Sequence, residues 1–194
     1  MAALSDLEVW RPLLLVLVLY ALIRGGFKGR AFLVCVGLTL LLSEAVVVQA
    51  LKKSVARQRP KQAQTVRLVQ LQPVSPKFLT LFEKPRVHYS ESWQRSADGA
   101  SFPSAHVANN FVVATWCALF FRRWGWLYLF VAGPVGYSRI YLGAHWPSDV
   151  ITTAFLAVGV ALLMAALLEW TWRRAGKRWW PEFLARHPRL IDSR

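Results

Sequence analysis

The chain has 194 residues, 55% of them apolar, and its 24 Lys and Arg against 10 Asp and Glu give a net charge of +14. This pairing excludes a disordered basic tail, and apolar blocks too long to be solvated exclude a soluble nucleic-acid-binding module. Cys35 and Cys117 both fall inside apolar blocks, so they support neither a disulfide scaffold nor a zinc site.

The first apolar run, Val9 to Ile23, is broken by Arg11 and Pro12 and stops at the basic turn from Arg24 to Arg30. It is short for a membrane span and lies near the N-terminus, as a signal peptide would. Asp6 and Glu8 stand where a signal peptide has a positive cluster, and no small-x-small cleavage site follows, so a retained helix is expected. Ala31 to Leu51 is a run of 21 residues, long enough at ~1.5 Å per residue to cross a bilayer core of about 30 Å. From Lys52 to about Ser101 the chain turns polar, with Pro60, Pro73, Pro76, Pro85 and Gly99 interrupting any long helix. Val74 to Phe82 is expected to lie on the membrane surface as a short amphipathic piece. Three apolar blocks follow, Val107 to Phe121, Trp126 to Leu142 and Val150 to Trp172, and the basic tail from Arg173 is expected to end in solvent. The fold class is therefore all-α: a polytopic membrane bundle of five or six helices in one domain over residues 1–194, with a long loop (52–101) carrying short helices.

Trp10, Trp124, Trp126, Trp146, Trp170 and Trp172 lie at block ends, where amphipathic rings settle at the headgroup level, and only Trp116 lies near a centre. Basic residues cluster between the first and second blocks, between the third and fourth (Arg122, Arg123) and beyond the fifth (Arg173, Arg174, Lys177, Arg178). With five helices these places share one side, and the positive-inside rule makes it cytoplasmic, with the tail 173–194. The loop 52–101 and the turn 143–148 then face outward. That loop holds ten basic residues of its own.

Three polar clusters sit at the outward ends. Lys52 and Arg59, seven apart, can share a helical face and clamp an anion, or simply anchor a helix end to headgroups; Pro60 biases its predecessor out of the helix. Ser101-Phe102-Pro103-Ser104-Ala105-His106 precedes the third block, where free N–H groups of a helix start and the Ser104 hydroxyl can bind phosphate. An ordinary Ser/Pro helix start with an interfacial histidine fits the same residues. The third cluster is Ser138-Arg139 with His145-Trp146-Pro147-Ser148-Asp149. Arg139 is a charge in an apolar run, and Asp149 can reach back to His145 to fix its tautomer or merely complement the helix dipole. Topology brings all three to one face, where cations, two histidines, one carboxylate and two helix N-termini describe a phosphate site.

Lys52-x6-Arg59-Pro60, Pro103-Ser104-Ala105-His106 and Ser138-Arg139-x5-His145-x3-Asp149 resemble the tripartite signature of the type 2 phosphatidic acid phosphatases, a superfamily related to vanadium haloperoxidases. Order and spacing match throughout; Ala105 stands at the usual glycine position and keeps its N–H, provided that its φ is negative. The resemblance implies that His145 attacks phosphorus to form a phosphohistidine and that Asp149 orients it. It further implies that His106 protonates the departing oxygen and then activates water, and that Lys52, Arg59, Arg139, Ser104 and the backbone at Ala105 hold the phosphate oxygens. Ser138 and Asn109 are candidates for support behind the site.

No acidic cluster for Mg²⁺ is visible, so a metal-independent reaction with no cofactor is expected. The expected partners are the bilayer and a lipid phosphate, with no nucleic acid. The resemblance implies bacterial substrates, with undecaprenyl pyrophosphate ranked ahead of phosphatidylglycerol phosphate and the lipid A 1-phosphate. The site faces outward from the plasma membrane. A lipid phosphotransferase and an anion or lipid transporter are the competing functions. Glu44, inside the second block, can relay protons, pair with Arg139, or be held structurally between helices, the last being favoured. His88 is expected on the loop surface and His187 too far away to participate. Oligomeric state and the purpose of the basic loop 61–95 are not encoded in any readable pattern.

Overall fold

A computed structural model describes residues 7–70, 79, 84–90 and 101–191. The chain is 79% helical. Helix α1 (Leu7–Arg24) packs on α2 (Gly26–Leu42), which continues through a π-helical stretch, Ser43–Val48, into α3 (Gln49–Val55). After the single turn α4 (Pro60–Ala63) come two strands, β1 (Arg67–Gln70) and β2 (Arg86–Tyr89), then α5 (Ala105–Gly125), a 3₁₀ turn (Trp126–Tyr128), α6 (Leu129–Tyr141), α7 (Pro147–Trp179) and α8 (Pro181–Arg186). The segment 74–82 lies outside the described residues, apart from position 79.

Helix α5 is the axis of the bundle and packs against α7, α6 and α2. Its inner face carries Val112, Trp116 and Phe120, which meet Cys35 and Val48 from the second helical segment and Ala157, Ala161 and Met164 from α7. Small residues on α7 let the two backbones approach closely. The fully buried Trp116 donates its indole N–H to Thr39 Oγ1 at 3.0 Å, and Thr39 donates in turn to Cys35 O at 2.7 Å. No polar group of this interior chain is left unmatched. Cys35 and Cys117 are free thiols.

The outer surface is apolar. Leu15, Val16, Leu17 and Ile23 of α1, Phe130 of α6 and Phe155 and Leu163 of α7 are all exposed, a distribution that water does not tolerate but lipid does. Among the described residues, two helices are long and apolar enough to cross a membrane: the one beginning at Gly26, and α7. The other long helices fall short of that criterion for visible reasons. Helix α1 carries Glu8, Arg11 and Arg24, α5 carries His106, Asn109, Asn110 and the Arg122-Arg123 pair, and α6 has 13 residues. The protein is thus a predominantly helical membrane protein.

Two sequence expectations need correction. The polar loop is not purely helical: β1 and β2 pair antiparallel, Arg67 opposite Tyr89 and Gln70 opposite Arg86. Lys52 and Arg59 do not share a helical face, because α3 ends at Val55, Ala56 turns left-handed (φ 44°) and Arg59 is extended. Most residues of the tail are exposed, and its last residues, 192–194, lie outside the described residues. Helix α7 extends past Trp172 to Trp179, and the chain then folds back so that Glu169 accepts the N–H groups of Leu190 (2.9 Å) and Ile191 (3.2 Å) while Phe27 stacks on His187. Apolar Leu190 and Ile191 earn this return by packing on the core. Trp124, Trp126 and Trp170 are exposed, whereas Trp146 and Trp172 are half-buried and donate their indole N–H groups to Gln58 O (2.9 Å) and His187 O (3.0 Å).

Candidate active site

The α6–α7 turn is where the three clusters meet. Helix α6 stops at Tyr141 because Gly143 takes a left-handed φ of 60°, and Ala144 and His145 both donate N–H to Arg139 O. Pro147 then starts α7 without sacrificing an internal hydrogen bond. Gly143 is also the point of closest approach to the base of the hairpin, where an added Cβ would lie 2.8 Å from Val66 Cγ2. The N–H of Lys61, just after Arg59-Pro60, donates to Gly143 O at 3.2 Å and ties the first cluster to the third. Gln62 Oε1 accepts the N–H of Arg59 and fixes the extended conformation that Pro60 favours.

The second cluster enters through Ser101 and Ser104. Ser101 donates its N–H to Arg57 O and accepts His145 Nδ1 at 2.5 Å on its own carbonyl. Nδ1 therefore carries the proton, and Nε2 keeps its lone pair. Ser101 Oγ donates to Asp149 Oδ2 at 2.5 Å, so the carboxylate reaches the imidazole through Ser101, not by touching it. That corrects the expectation of direct contact. Asp149, almost fully buried, also accepts the Trp146 N–H at 3.1 Å and an Arg57 guanidinium nitrogen at 2.6 Å. Arg57 further donates to Ser148 Oγ at 3.0 Å and lies over the Trp146 ring.

Ser104 caps α5 in an extended conformation, is fully buried, and donates its N–H to Thr153 Oγ1. Ala105 opens the helix with a negative φ, as the alanine-for-glycine exchange required. The first-turn N–H groups are spare helix donors. Among the described residues the Ser104 hydroxyl and Arg59 Nε are buried without a protein partner. Buried donors of this kind are rare unless a ligand supplies the acceptor, and here they belong to two segments that converge on one histidine.

His145 is buried, and burial pushes its imidazole down to about 4. Arg139 and Arg59 push in the same direction, while the Ser101 carbonyl and Asp149 pull back. A neutral imidazole with a free Nε2, facing cations and open donors, can attack an electrophilic centre that carries negative oxygens. A cavity of about 430 Å³ opens on His145, walled by Val66, Arg67 and Val69 of the hairpin region and by Ile140 and Trp146 of the turn.

The remaining candidates are placed less centrally. His106 is exposed on the first turn of α5, its carbonyl accepting Asn110 Nδ2. Lys52 is half-buried in the last turn of α3. Ser138 turns its hydroxyl to Val135 O, inside its own helix, and Asn109 donates to Glu44 Oε2 at 3.0 Å. Glu44 therefore links the second helical segment to α5. His88 lies exposed on β2, paired opposite Leu68. Sequence reasoning did not single out Arg57, Lys61 or Thr153. Their partners lie far along the chain, 92 positions away for Arg57 and Asp149, and nothing local marks them.

Over 71 residues the chain is 42% identical to the bacitracin transport permease protein BcrC of Bacillus licheniformis, a stretch covering 37% of this chain and 33% of that protein. Over 161 residues it is 27% identical to the lipid A 4'-phosphatase of Bacteroides thetaiotaomicron, covering 80% of this chain and 63% of that one. It thus spans less than two thirds of the length of either relative, and no solved structure matches it. The sequence model of the PAP2 superfamily matches residues 32–173, a stretch that includes every signature position from Lys52 to Asp149, and the chain belongs to that superfamily.

Proposed function

We propose that this protein is an integral membrane phosphatase that removes a phosphoryl group from a lipid phosphate or diphosphate through a phosphohistidine on His145. The observation that carries this reading is the state of His145: buried, neutral, bonded through Nδ1, and set among donors that lack acceptors. Nε2 attacks phosphorus in line, while Arg59, Arg139, Lys52, Ser104 Oγ and the first-turn N–H groups of α5 hold the equatorial oxygens. His106 gives a proton to the departing oxygen and then takes one from the water that cleaves the P–N bond. Asp149, through Ser101, holds the acceptor of the Nδ1 proton in place. The reaction is metal-independent, since both oxygens of the site carboxylate are already engaged by protein donors. By the positive-inside distribution, the site faces the periplasmic or extracellular side of the plasma membrane.

Undecaprenyl pyrophosphate ranks first among substrates, ahead of phosphatidylglycerol phosphate and lipid A phosphates. One relative bears a transport name, which keeps anion or lipid transport as the competing reading. Phosphate release from the three purified lipids, with EDTA and with or without an alcohol acceptor, tests the proposal. Release from at least one lipid, undiminished by EDTA, is the expected result; release from none overturns it, and transfer to the acceptor in place of release marks a phosphotransferase.

The pH profile follows from the same site. Only neutral His145 attacks, and its folded-state value lies below the ordinary 6.5. The limb of kcat/KM that it controls therefore falls as pH drops through about 4, and activity persists through the range where an ordinary histidine would already be protonated. Any limb near neutrality belongs to another group, and His106→Asn is expected to remove it while leaving the acid limb in place.

A further inference from the structure

A second cavity, about 870 Å³ against about 430 Å³ for the one at His145, opens at the opposite end of the bundle. None of its lining residues belongs to the three clusters. Helix α5 separates the two: it starts at Ala105 beside the site and reaches Arg122 roughly 25 Å further on, at ~1.5 Å per residue. The chain makes this cavity by reversing tightly. Arg122 leaves helical geometry (φ 23°, ψ −73°), and the 3₁₀ turn then carries Leu127 and Tyr128 back alongside α5. Gly125 permits the reversal, because a Cβ added there would overlap Cys117 O. The walls are apolar: Cys117, Phe120 and Phe121 from α5, Leu127 from the turn and Val131 from α6. The rim is cationic, with Lys28 from α2 facing Arg122 and Arg123 across the hollow. Lys28 Nζ lies 6.0 Å from the centroid of the Phe121 ring, so its charge sits over an apolar wall. Among the described residues, no Asp or Glu lines the cavity. Orientation in a membrane requires basic residues near helix ends, but it does not require them to ring a hollow. An occupant that matches this lining is anionic at one end and apolar along the rest. A small soluble anion leaves the apolar walls unused, and a zwitterionic lipid brings its own ammonium to the same cations. Trp124, exposed on the lining, is the kind of ring that settles at headgroup level.

We propose that this cavity binds an anionic phospholipid from the leaflet opposite His145, with the lipid phosphate held by Lys28, Arg122 and Arg123 and an acyl chain laid along Phe121, Leu127 and Val131. The volume falls in the range of small-molecule sites, ~300–1,000 Å³, which admits a headgroup and part of one chain while the rest of the lipid stays in the bilayer. Among the described residues no histidine lines the cavity, and the lipid is a ligand there, not a substrate. Its phosphate joins the start of α2 to the turn between α5 and α6, two parts of the chain that otherwise meet at this rim through like charges. Occupancy therefore stabilises that corner of the bundle, and a lipid without net charge does so far less.

The test uses the full chain in detergent micelles, with phosphatidylglycerol and phosphatidylcholine of identical acyl chains as probes. Native mass spectrometry reads retention, and a photoactivatable group on the acyl chain reads location. Phosphatidylglycerol is expected to be retained at about 10-fold lower concentration than phosphatidylcholine, to raise the melting temperature where phosphatidylcholine does not, and to label the segment 117–131. Lys28→Gln with Arg123→Gln is expected to weaken its retention about 30-fold, as loss of two near-surface cations requires, with the lipid-free melting temperature within about 2 °C of wild type. Leu127→Trp fills the hollow and keeps every charge, and it is expected to weaken retention about 10-fold. Equal retention of the two lipids, label concentrated outside 117–131, or unchanged retention in either variant overturns the site. Protection from labelling by glycerol 3-phosphate as effective as that by phosphatidylglycerol marks a small-anion site. A lipid-free dimer that the double variant dissociates marks an interface between copies of the chain. Either of those two results overturns the lipid assignment.

Discussion

His145→Ala is expected to lower phosphate release by about 10⁴-fold or more, because on the proposed mechanism it removes the group that forms the covalent intermediate while leaving the proposed oxygen-binding donors in place. The residual rate reflects positioning and electrostatic stabilisation by Arg59, Arg139 and the α5 N-terminus. Lipid binding, read as inhibition or direct partition, is expected to persist, since on the same mechanism the cations, and not His145, neutralise the phosphate. Brief incubation with labelled lipid is expected to leave an acid-labile, base-stable label on wild type and none on His145→Ala. His106→Ala makes a different prediction. It impairs protonation and water activation, costs about 10²–10⁴-fold, and allows the label to persist because hydrolysis of the phosphohistidine becomes slow. A transporter behaves otherwise: it would keep substantial transport in His145→Ala as long as the cations remain. Retention of more than a tenth of wild-type phosphate release in that variant would end the nucleophile assignment.

What the sequence makes legible is whatever is encoded locally. The apolar blocks mark the second helical segment, α5, α6 and the start of α7 to within a few residues but miss the last two turns of α7, and Pro60, Pro103 and Pro147 mark where chain segments change direction. The gathering of Arg59, Ser104, Arg139, His145 and Asp149 at one end of the bundle follows from helix parity alone, because the ends of the second and fourth long helices and the starts of the third and fifth must emerge together. What is not legible depends on contacts between distant segments. The hairpin needs Val66 against Gly143 and the pairing of residues some twenty positions apart, and neither strand alternates cleanly enough to announce itself. The return of the tail depends on one carboxylate, Glu169, capping two N–H groups 21 and 22 positions later. The routing of Asp149 to His145 through Ser101 is likewise invisible, since an Asp four residues after a His reads most simply as its direct partner. Here the Pro147 turn commits Asp149 to the Trp146 N–H, the Ser101 hydroxyl and Arg57 instead.

Arg57 offers the sharpest test of that routing. Its guanidinium meets Asp149 at 2.6 Å, with the arginine side chain 44% exposed and the aspartate side chain not exposed at all. The pair is half surface bridge and half buried charge, and its value lies in what it holds still. Arg57 fixes one carboxylate oxygen, Ser101 Oγ binds the other, Ser101 N–H binds Arg57 O, and Ser101 O receives the proton of His145. Removing Arg57 leaves a buried carboxylate with too few donors, which then competes for Ser101 and loosens the imidazole. Arg57→Gln is therefore expected to lower kcat about 10–100-fold with KM within about 3-fold, because its guanidinium is engaged by Asp149 and Ser148 and would act on the reaction through Ser101 and His145. Arg57→Lys is expected to recover part of the loss, since an ammonium can reach one oxygen but cannot also bind Ser148 and lie over Trp146. Asp149→Asn is expected to fall by about 100-fold, and the double variant Arg57→Gln with Asp149→Asn no further, a coupling of roughly 1.5–3 kcal/mol between two residues of one network. Fully additive losses would mean that Arg57 acts independently of Asp149, as a docking charge for the substrate, and a rise in KM with unchanged kcat would say the same from the other side.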